Sequence, residues 1–389
     1  MRRWLLALWL AASPAWPQEA PIVVGAVVSE TGLLADLALD MRKALVLWQE
    51  GRNAAGGLLG RRIELRLLDD RSEASAALRL YARLIEQERV DLLIGPFGSA
   101  ASVAAAAIAE RARRVLVNAT GVTRGVQRAD WRYVFQVPAP VAEYGDGALA
   151  LARAAGHSRL QVLARDEPGA REAADRFAAQ AAALGMQAVV QTVSPGATGY
   201  AAQIAAARAR RAEAWIAFGR PEDAAEMVKA FKRTGYAPAM FLAQGAAAPA
   251  FVQHVGQDAE FVLGITAFEP RFATRGNAEF VAHWRKRWQS EPGALAAAVY
   301  SAALVLEEGV RAAGSLDQER LRAALAALET ETPIGRYRVG EGGVQLGAKP
   351  AVVQILRGRA EIVWPRTLAT AQLRLPYPRW DERQVHAAQ

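Results

Sequence analysis

The sequence predicts an α/β protein made of two lobes joined by crossover strands, and three observations carry that reading. From residue 22 onward, short β-branched runs alternate with Ala/Leu-rich helical stretches. Such alternation is the mark of βαβ units and of parallel sheets covered by helices. The 389 residues suit two such units better than one. Finally, long helical stretches follow residue 268, after a second run of strands is complete, so the chain is expected to return to its first unit. Two lobes of this kind leave a cleft at the carboxyl ends of their strands, where open α/β sheets bind ligands.

The elements follow in order. Residues 22–28 read as a strand and 34–52 as a helix, with Leu34, Leu37, Met41, Leu45 and Trp48 on one face and Asp36, Asp40, Lys43 and Glu50 on the other. Glycines in NAAGGLLG (53–60) end that helix. Strand 63–68, helix 74–88, strand 90–94, helix 99–111 and strand 115–118 come next, then strand 133–137. A second series has helix 142–155, strand 159–163, helix 170–184, strand 188–193, helix 200–210, strand 214–218, helix 221–234 and strands 239–242 and 261–266. Helices 277–288, 293–313 and 318–328 precede extended segments at 335–339, 351–356 and 360–363. From Leu373 the chain is broken by prolines (LRLPYPRW) and is expected to run extended over the surface.

Composition narrows the function. With 52 % hydrophobic and 22 % charged residues the chain is neither disordered nor fibrous. No cysteine is present, which excludes disulfides, thiolate metal sites, a cysteine nucleophile and a lipid anchor on an N-terminal cysteine. The four histidines have no ligand spacing, so no metal centre is expected. The net charge of +8 is dispersed and only five of 47 basic residues are lysine, which reads as an arginine-rich solvated surface and not as a nucleic-acid site. At the N-terminus, Arg2 and Arg3 precede the apolar run WLLALWLAA and small residues, the layout of a secretory signal peptide. Cleavage is expected after Ala15 or Ala20, which places the mature protein in the bacterial periplasm, exported and soluble.

Enzyme motifs are absent. The chain has no GxxxxGK[ST] loop and no GxGxxG after a strand, and GPFGS (95–99) is not a GxSxG elbow. Asp69 and Asp70 end a strand, where adjacent side chains point to opposite faces, so turn or capping roles suit them better than shared acid/base work. GPFGS does offer binding chemistry: Ser99 stands where strand passes into helix, as an expected N-cap beside free N–H groups that could hold a carboxylate. An ordinary cap without a ligand is the other reading of the same residues.

Four stretches carry a family resemblance: VGAVVSETG (24–32), NAAGGLLG (53–60) with Asp69 and Asp70, LIGPFGS (93–99) and VNATGVTRG (117–125). FGRPED (218–223), EPGALAAAVYSAAL (291–304), IVWP (362–365) and ATA (369–371) continue it along the chain. Together they resemble the type I periplasmic binding proteins of branched-chain amino acid and amide ABC transporters. That resemblance implies two Rossmann-like lobes and three crossovers, near 137–140, 267–270 and 339–344. The lobes would comprise residues 21–138 plus 269–341 and 139–268 plus 342–372, after a leader over 1–20 and with a tail over 373–389.

The resemblance also implies a site. Ser99 would hold a ligand carboxylate, together with the loop Thr120, Gly121 and Val122 acting mostly through its backbone. Val122, with Thr123 beside it, takes the place of a hydroxyl residue that helps hold an α-amino group. In the second lobe Gln244 replaces the usual acidic partner of an ammonium, and Pro168 and Gly219 replace aromatic lids. Leu37 matches an aromatic of the first loop, and Leu295 an apolar wall residue. A neutral Gln244 is a poor partner for a buried ammonium, so either Asp166, Glu167 or Glu222 supplies the charge or the ligand lacks an amino group. Arg165 and Arg220 would face a second anionic group or, as buried arginines are rare, coat the surface.

The function implied is a non-enzymatic, monomeric receptor that takes up a small carboxylate-bearing molecule and delivers it to an inner-membrane ABC permease by hinge closure. It needs no cofactor, metal or nucleic acid. Branched-chain amino acids, amides, and aromatic or aliphatic acids all stand as ligands. A sensor of the same fold feeding a signalling system is the alternative.

Overall fold

A computed structural model describes residues 20–383, apart from the side chain of Leu37. The leader expected over residues 1–19 lies outside the described residues. The first sheet contains β1 (Ile22–Val28), β2 (Ile63–Asp69), β3 (Leu92–Ile94), β4 (Leu116–Asn118) and β5 (Val134–Gln136). Its order is β2-β1-β3-β4-β5 and every pairing is parallel. Alternation along β1 divides the packing, because successive strand residues face opposite sides. Val24, Ala26 and Val28 face a core shared with α1 (Ala35–Ala54), α9 (Asn277–Trp288), α10 (Ala294–Ala313) and α11 (Gln318–Ala327). Val27 faces α2 (Ala76–Glu86) and α3 (Ser99–Arg111). The late helices therefore cover the first sheet. Glu307 of α10 fastens that return: its buried carboxylate accepts from the Trp48 indole at 2.9 Å and from Arg52 at 3.0 Å, both on α1.

The second sheet has seven strands in the order β14-β13-β10-β9-β8-β6-β7. Its parallel part comprises β6 (Arg159–Arg165), β7 (Gln187–Val193), β8 (Ala214–Phe218), β9 (Met240–Ala243) and β10 (Leu263–Thr266). One face packs on α4 (Asp146–Ala154) and α5 (Pro168–Ala183). The other packs on α6 (Ala201–Ala209), α7 (Pro221–Thr234) and α8 (Pro249–Val255), which the sequence reading did not include. The all-parallel expectation does not hold at one edge, where β13 (Ala351–Leu356) and β14 (Arg359–Trp364) run antiparallel. The cause is local: the turn residues Arg357 and Gly358 both have positive φ, +54° and +72°, and so fold the chain straight back without a crossover helix.

A small hairpin, β11 (Thr330–Thr332) with β12 (Gly335–Tyr337), precedes β13. The chain passes between the two sheets three times: after β5, after β10, and between β12 and β13. Helix α4 starts at Asp146 because residues Val141–Glu143 form a separate 3-10 turn and Gly145 presses against the Phe177 ring. The tail after Leu373 is extended but firmly docked. Tyr377 donates its N–H to Ala239 O at 2.7 Å, and its ring lies 5.7 Å from Phe241. Arg383 stacks on both Trp380 and Tyr377, 3.7 and 4.2 Å from the ring centroids.

Candidate functional site

The C-terminal ends of β3 and β4 build a compact polar corner. The turn into α3 needs a residue at positive φ, and Gly98 supplies it at +84° as the N-cap. Ser99 is therefore the first residue of the helix and not its cap, a correction to the sequence reading. Its hydroxyl is thereby free to point out of the helix, where Oγ accepts the N–H groups of Val122 at 3.2 Å and Thr123 at 3.4 Å. Thr120 ties the same two turns together, donating its hydroxyl to Pro96 O at 2.6 Å and accepting from Gly98 N at 2.9 Å.

Asn118, which sequence reasoning passed over, organises the loop after β4. Its Oδ1 accepts from Gly121 N at 2.9 Å and its Nδ2 donates to Gly121 O at 2.8 Å. An asparagine at a strand end followed by small residues is an Asx-turn signal, so it was available in the sequence. Gly121 has to be glycine, because a Cβ there would lie 2.6 Å from Ser102 Cβ. Ser99, Thr120, Gly121 and Val122 are thus brought together as expected, with consecutive backbone N–H groups aimed at one oxygen and the N-terminus of α3 beside them. Such an arrangement suits a carboxylate.

The opposing wall comes from the C-terminal ends of β6, β8 and β9. Arg165 is buried there, against the expectation of a surface arginine. It is buried because it is paired: Nη1 reaches both oxygens of buried Asp223 at 2.8 and 2.9 Å, and Nε donates to Glu167 at 2.9 Å. Burial alone would lower the Arg165 pKa, but the hydrogen bonds from Asp223 and Glu167 outweigh it and the net shift is upward. Exposed Arg220 also bonds Glu167, at 2.8 Å, and Glu222 lies 3.4 Å from Arg165. Asp166 pairs with Arg171. The three acids considered as ammonium partners are therefore each engaged with arginine.

Gly219 lies against this network, and a Cβ there would sit 2.7 Å from Asp223 Oδ2, so the ion pair stands where a lid side chain would begin. Pro168 opens α5 as its first residue and is exposed. Gln244 begins a 3-10 turn after β9, half-buried and neutral. Its neighbour Gly245 touches the Arg220 backbone, which joins the β8 and β9 loops into one wall. Leu295 lies in the first turn of α10, half-buried at the corner with α1. Leu37 belongs to α1, but its side chain lies outside the described residues.

The two walls meet. Arg124 N donates to both carboxylate oxygens of Glu172, on α5, at 3.1 Å. Thr123 Cγ2 lies 3.8 Å from the Cβ position of Gly169, and Val122 packs on the second-lobe core. A separate hollow of about 1150 Å³ lies between the β13–β14 turn and the tail, lined among others by Arg359, Glu361 and Arg374. It is remote from the strand ends and no polar groups converge in it. Among the described residues no group of His, Asp and Glu could hold a metal ion, and no helix is long and apolar enough to cross a membrane.

Two lobes of this topology with a polar corner between them define a ligand-binding protein of the type I periplasmic class. The chain belongs to the periplasmic binding protein family, whose profile matches residues 21–359. It is 23 % identical to the Leu/Ile/Val-binding protein homolog 7 of Brucella abortus, over 97 % of this chain and 100 % of that one. A leucine-binding protein of Thermotoga maritima has the same fold with a TM-score of 0.74, at 24 % identity over 88 % of this chain and 97 % of its own. A branched-chain amino acid transporter substrate-binding protein of Streptococcus pneumoniae, in complex with isoleucine, aligns with a TM-score of 0.72 at 20 % identity, over 92 % and 100 %. A solute-binding protein of R. palustris in complex with benzoate aligns with a TM-score of 0.72 at 19 % identity, over 92 % and 97 %.

Proposed function

We propose that this protein is an exported solute receptor that closes its two lobes over a small monocarboxylate lacking an α-ammonium group and delivers it to an inner-membrane ABC permease. The lobes are residues 21–138 plus 269–341 and residues 139–268 plus 342–372, and the leader before them is removed on export. The carboxylate would take the Val122 and Thr123 N–H groups and the Ser99 hydroxyl, which turns from acceptor to donor. The observation that carries the ligand class is the state of the opposite wall: Gln244 is neutral, and Asp166, Glu167, Glu222 and Asp223 all face arginines. An ammonium buried there would lack a free carboxylate, at a cost that a deaminated ligand avoids. The fold accommodates both chemistries, since its relatives include complexes with isoleucine and with benzoate.

A thermal-shift screen of the mature protein tests the reading, because a ligand that binds only the native state raises its melting temperature. The expected hits are 4-methyl-2-oxopentanoate, its branched-chain analogues and simple aromatic carboxylates. Stabilisation by leucine, isoleucine and valine alone would overturn the ligand class, and stabilisation by no carboxylate would overturn the site.

A further inference from the structure

The carboxylate loop is connected to the hinge by buried amide side chains that the binding site itself does not use. Gln136 is the last residue of β5, immediately before the first crossover, and is 1 % exposed. Its Nε2 donates to Gly121 O at 3.2 Å, inside the loop whose next two N–H groups bond Ser99. Its Oε1 accepts from the backbone N of Gln345 at 3.4 Å. Gln345 lies on the third crossover and is also 1 % exposed. Its Nε2 donates to Val137 O at 2.7 Å, and its Oε1 accepts from Arg338 N at 3.2 Å and Gly347 N at 2.7 Å.

One glutamine therefore fastens the first crossover to the third, and the other fastens both to the loop. The loop also has a direct tie across the hinge, because Val141 N donates to Val122 O at 2.8 Å. A rotation of the second lobe about the crossovers moves Val141, and Gln136 and Gln345 fix what it moves against. Buried amides with their donors and acceptors satisfied specify one geometry, and losing one partner leaves the other unpaired in a dry interior.

We propose that Gln136 and Gln345 are positioning residues that hold the Gly121–Val122–Thr123 backbone in register with two crossover segments, so that hinge angle and carboxylate-site geometry change together. The proposal rests on the reading of that loop as the carboxylate site, but its test is made first without any ligand. The native chain has no cysteine, so Leu39→Cys in α1 and Leu184→Cys at the end of α5, both exposed, give one spin-label pair reporting lobe separation. Amide hydrogen exchange at Val122 and Thr123 reports the loop.

Gln136→Met and Gln345→Met should each broaden the interlobe distance distribution and speed exchange of both loop amides about fivefold, the scale of one net hydrogen bond. Amides of β1 and β2 should be unchanged, and the double variant should add little to either single one. Gln136→Asn and Gln345→Asn, each one methylene short of their partners, make the same test should a methionine variant not fold. Loop exchange at the native rate in the Gln345 variants, or an unaltered distance distribution in the Gln136 variants, would overturn the proposal. Adding 4-methyl-2-oxopentanoate separates the two claims. If it leaves the native distribution unshifted the ligand reading fails, whereas the coupling stands or falls on the ligand-free measurements.

Discussion

Ser99 sits one residue inside α3, so its hydroxyl does no capping work. Ser99→Ala should weaken binding of 4-methyl-2-oxopentanoate by about 1–3 kcal/mol in a calorimetric titration, as expected when a buried anion loses a donor. Unchanged affinity would remove Ser99 from the site. Arg165 holds buried Asp223, so Arg165→Met strands a carboxylate and should cost about 3–5 kcal/mol in a denaturant melt. Near-native stability would show that the pair is not needed. Asp69 tests the electrostatics through pH. Burial would raise its pKa, but hydrogen bonds from the Thr31 hydroxyl and the N–H groups of Arg71, Thr31 and Glu30 outweigh that and hold it below its ordinary 3.8. Its contribution is therefore full above that value and is lost as pH falls through the lowered one. Native protein should lose melting temperature more steeply than Asp69→Asn on acidification below about pH 4, and parallel slopes would contradict this. The Ser99 corner was legible in the sequence because a glycine turn before a helix has a strong local signature. Arg165 was not, because burial of an arginine depends on acids two and 58 positions away in the chain.

Elements were legible where period and length agreed, as in β1, α1, α7 and α10, whose apolar faces are long enough to declare themselves. Helix α8 was missed because seven residues make too short a window for a helical period. The antiparallel hairpin β13–β14 was legible as strands but not as topology, since two positive-φ residues decide its direction. The tail shows the same division: its prolines predicted an extended chain, but its docking depends on Phe241 and Tyr236, far off in sequence. A chain ending at Gln372 should melt at lower temperature, and Tyr377→Ala alone should cost about 3 kcal/mol, as loss of a buried aromatic does. Both should leave affinity for 4-methyl-2-oxopentanoate unchanged. A tail that gates the cleft would instead alter affinity with little effect on melting.

At the scale of the molecule, the alternation of strands and helices and the late return of the chain were enough to predict two lobes and a cleft. What the sequence could not supply is how the lobes meet. Glu172 reaching Arg124 N, Val141 reaching Val122 O and Gln345 riveting two crossovers all join residues from separate segments whose approach depends on the whole fold. The polar corner at Ser99 and the opposite wall of paired acids together make one claim, that this cleft binds a carboxylate and has no place for an ammonium. Calorimetric titration of the mature protein with 4-methyl-2-oxopentanoate and with leucine tests it most directly, since the two differ in the group at the α-carbon. The oxo acid should bind at least about tenfold more tightly, a difference of about 1.4 kcal/mol; sub-micromolar binding of leucine with no heat from the oxo acid would contradict the account.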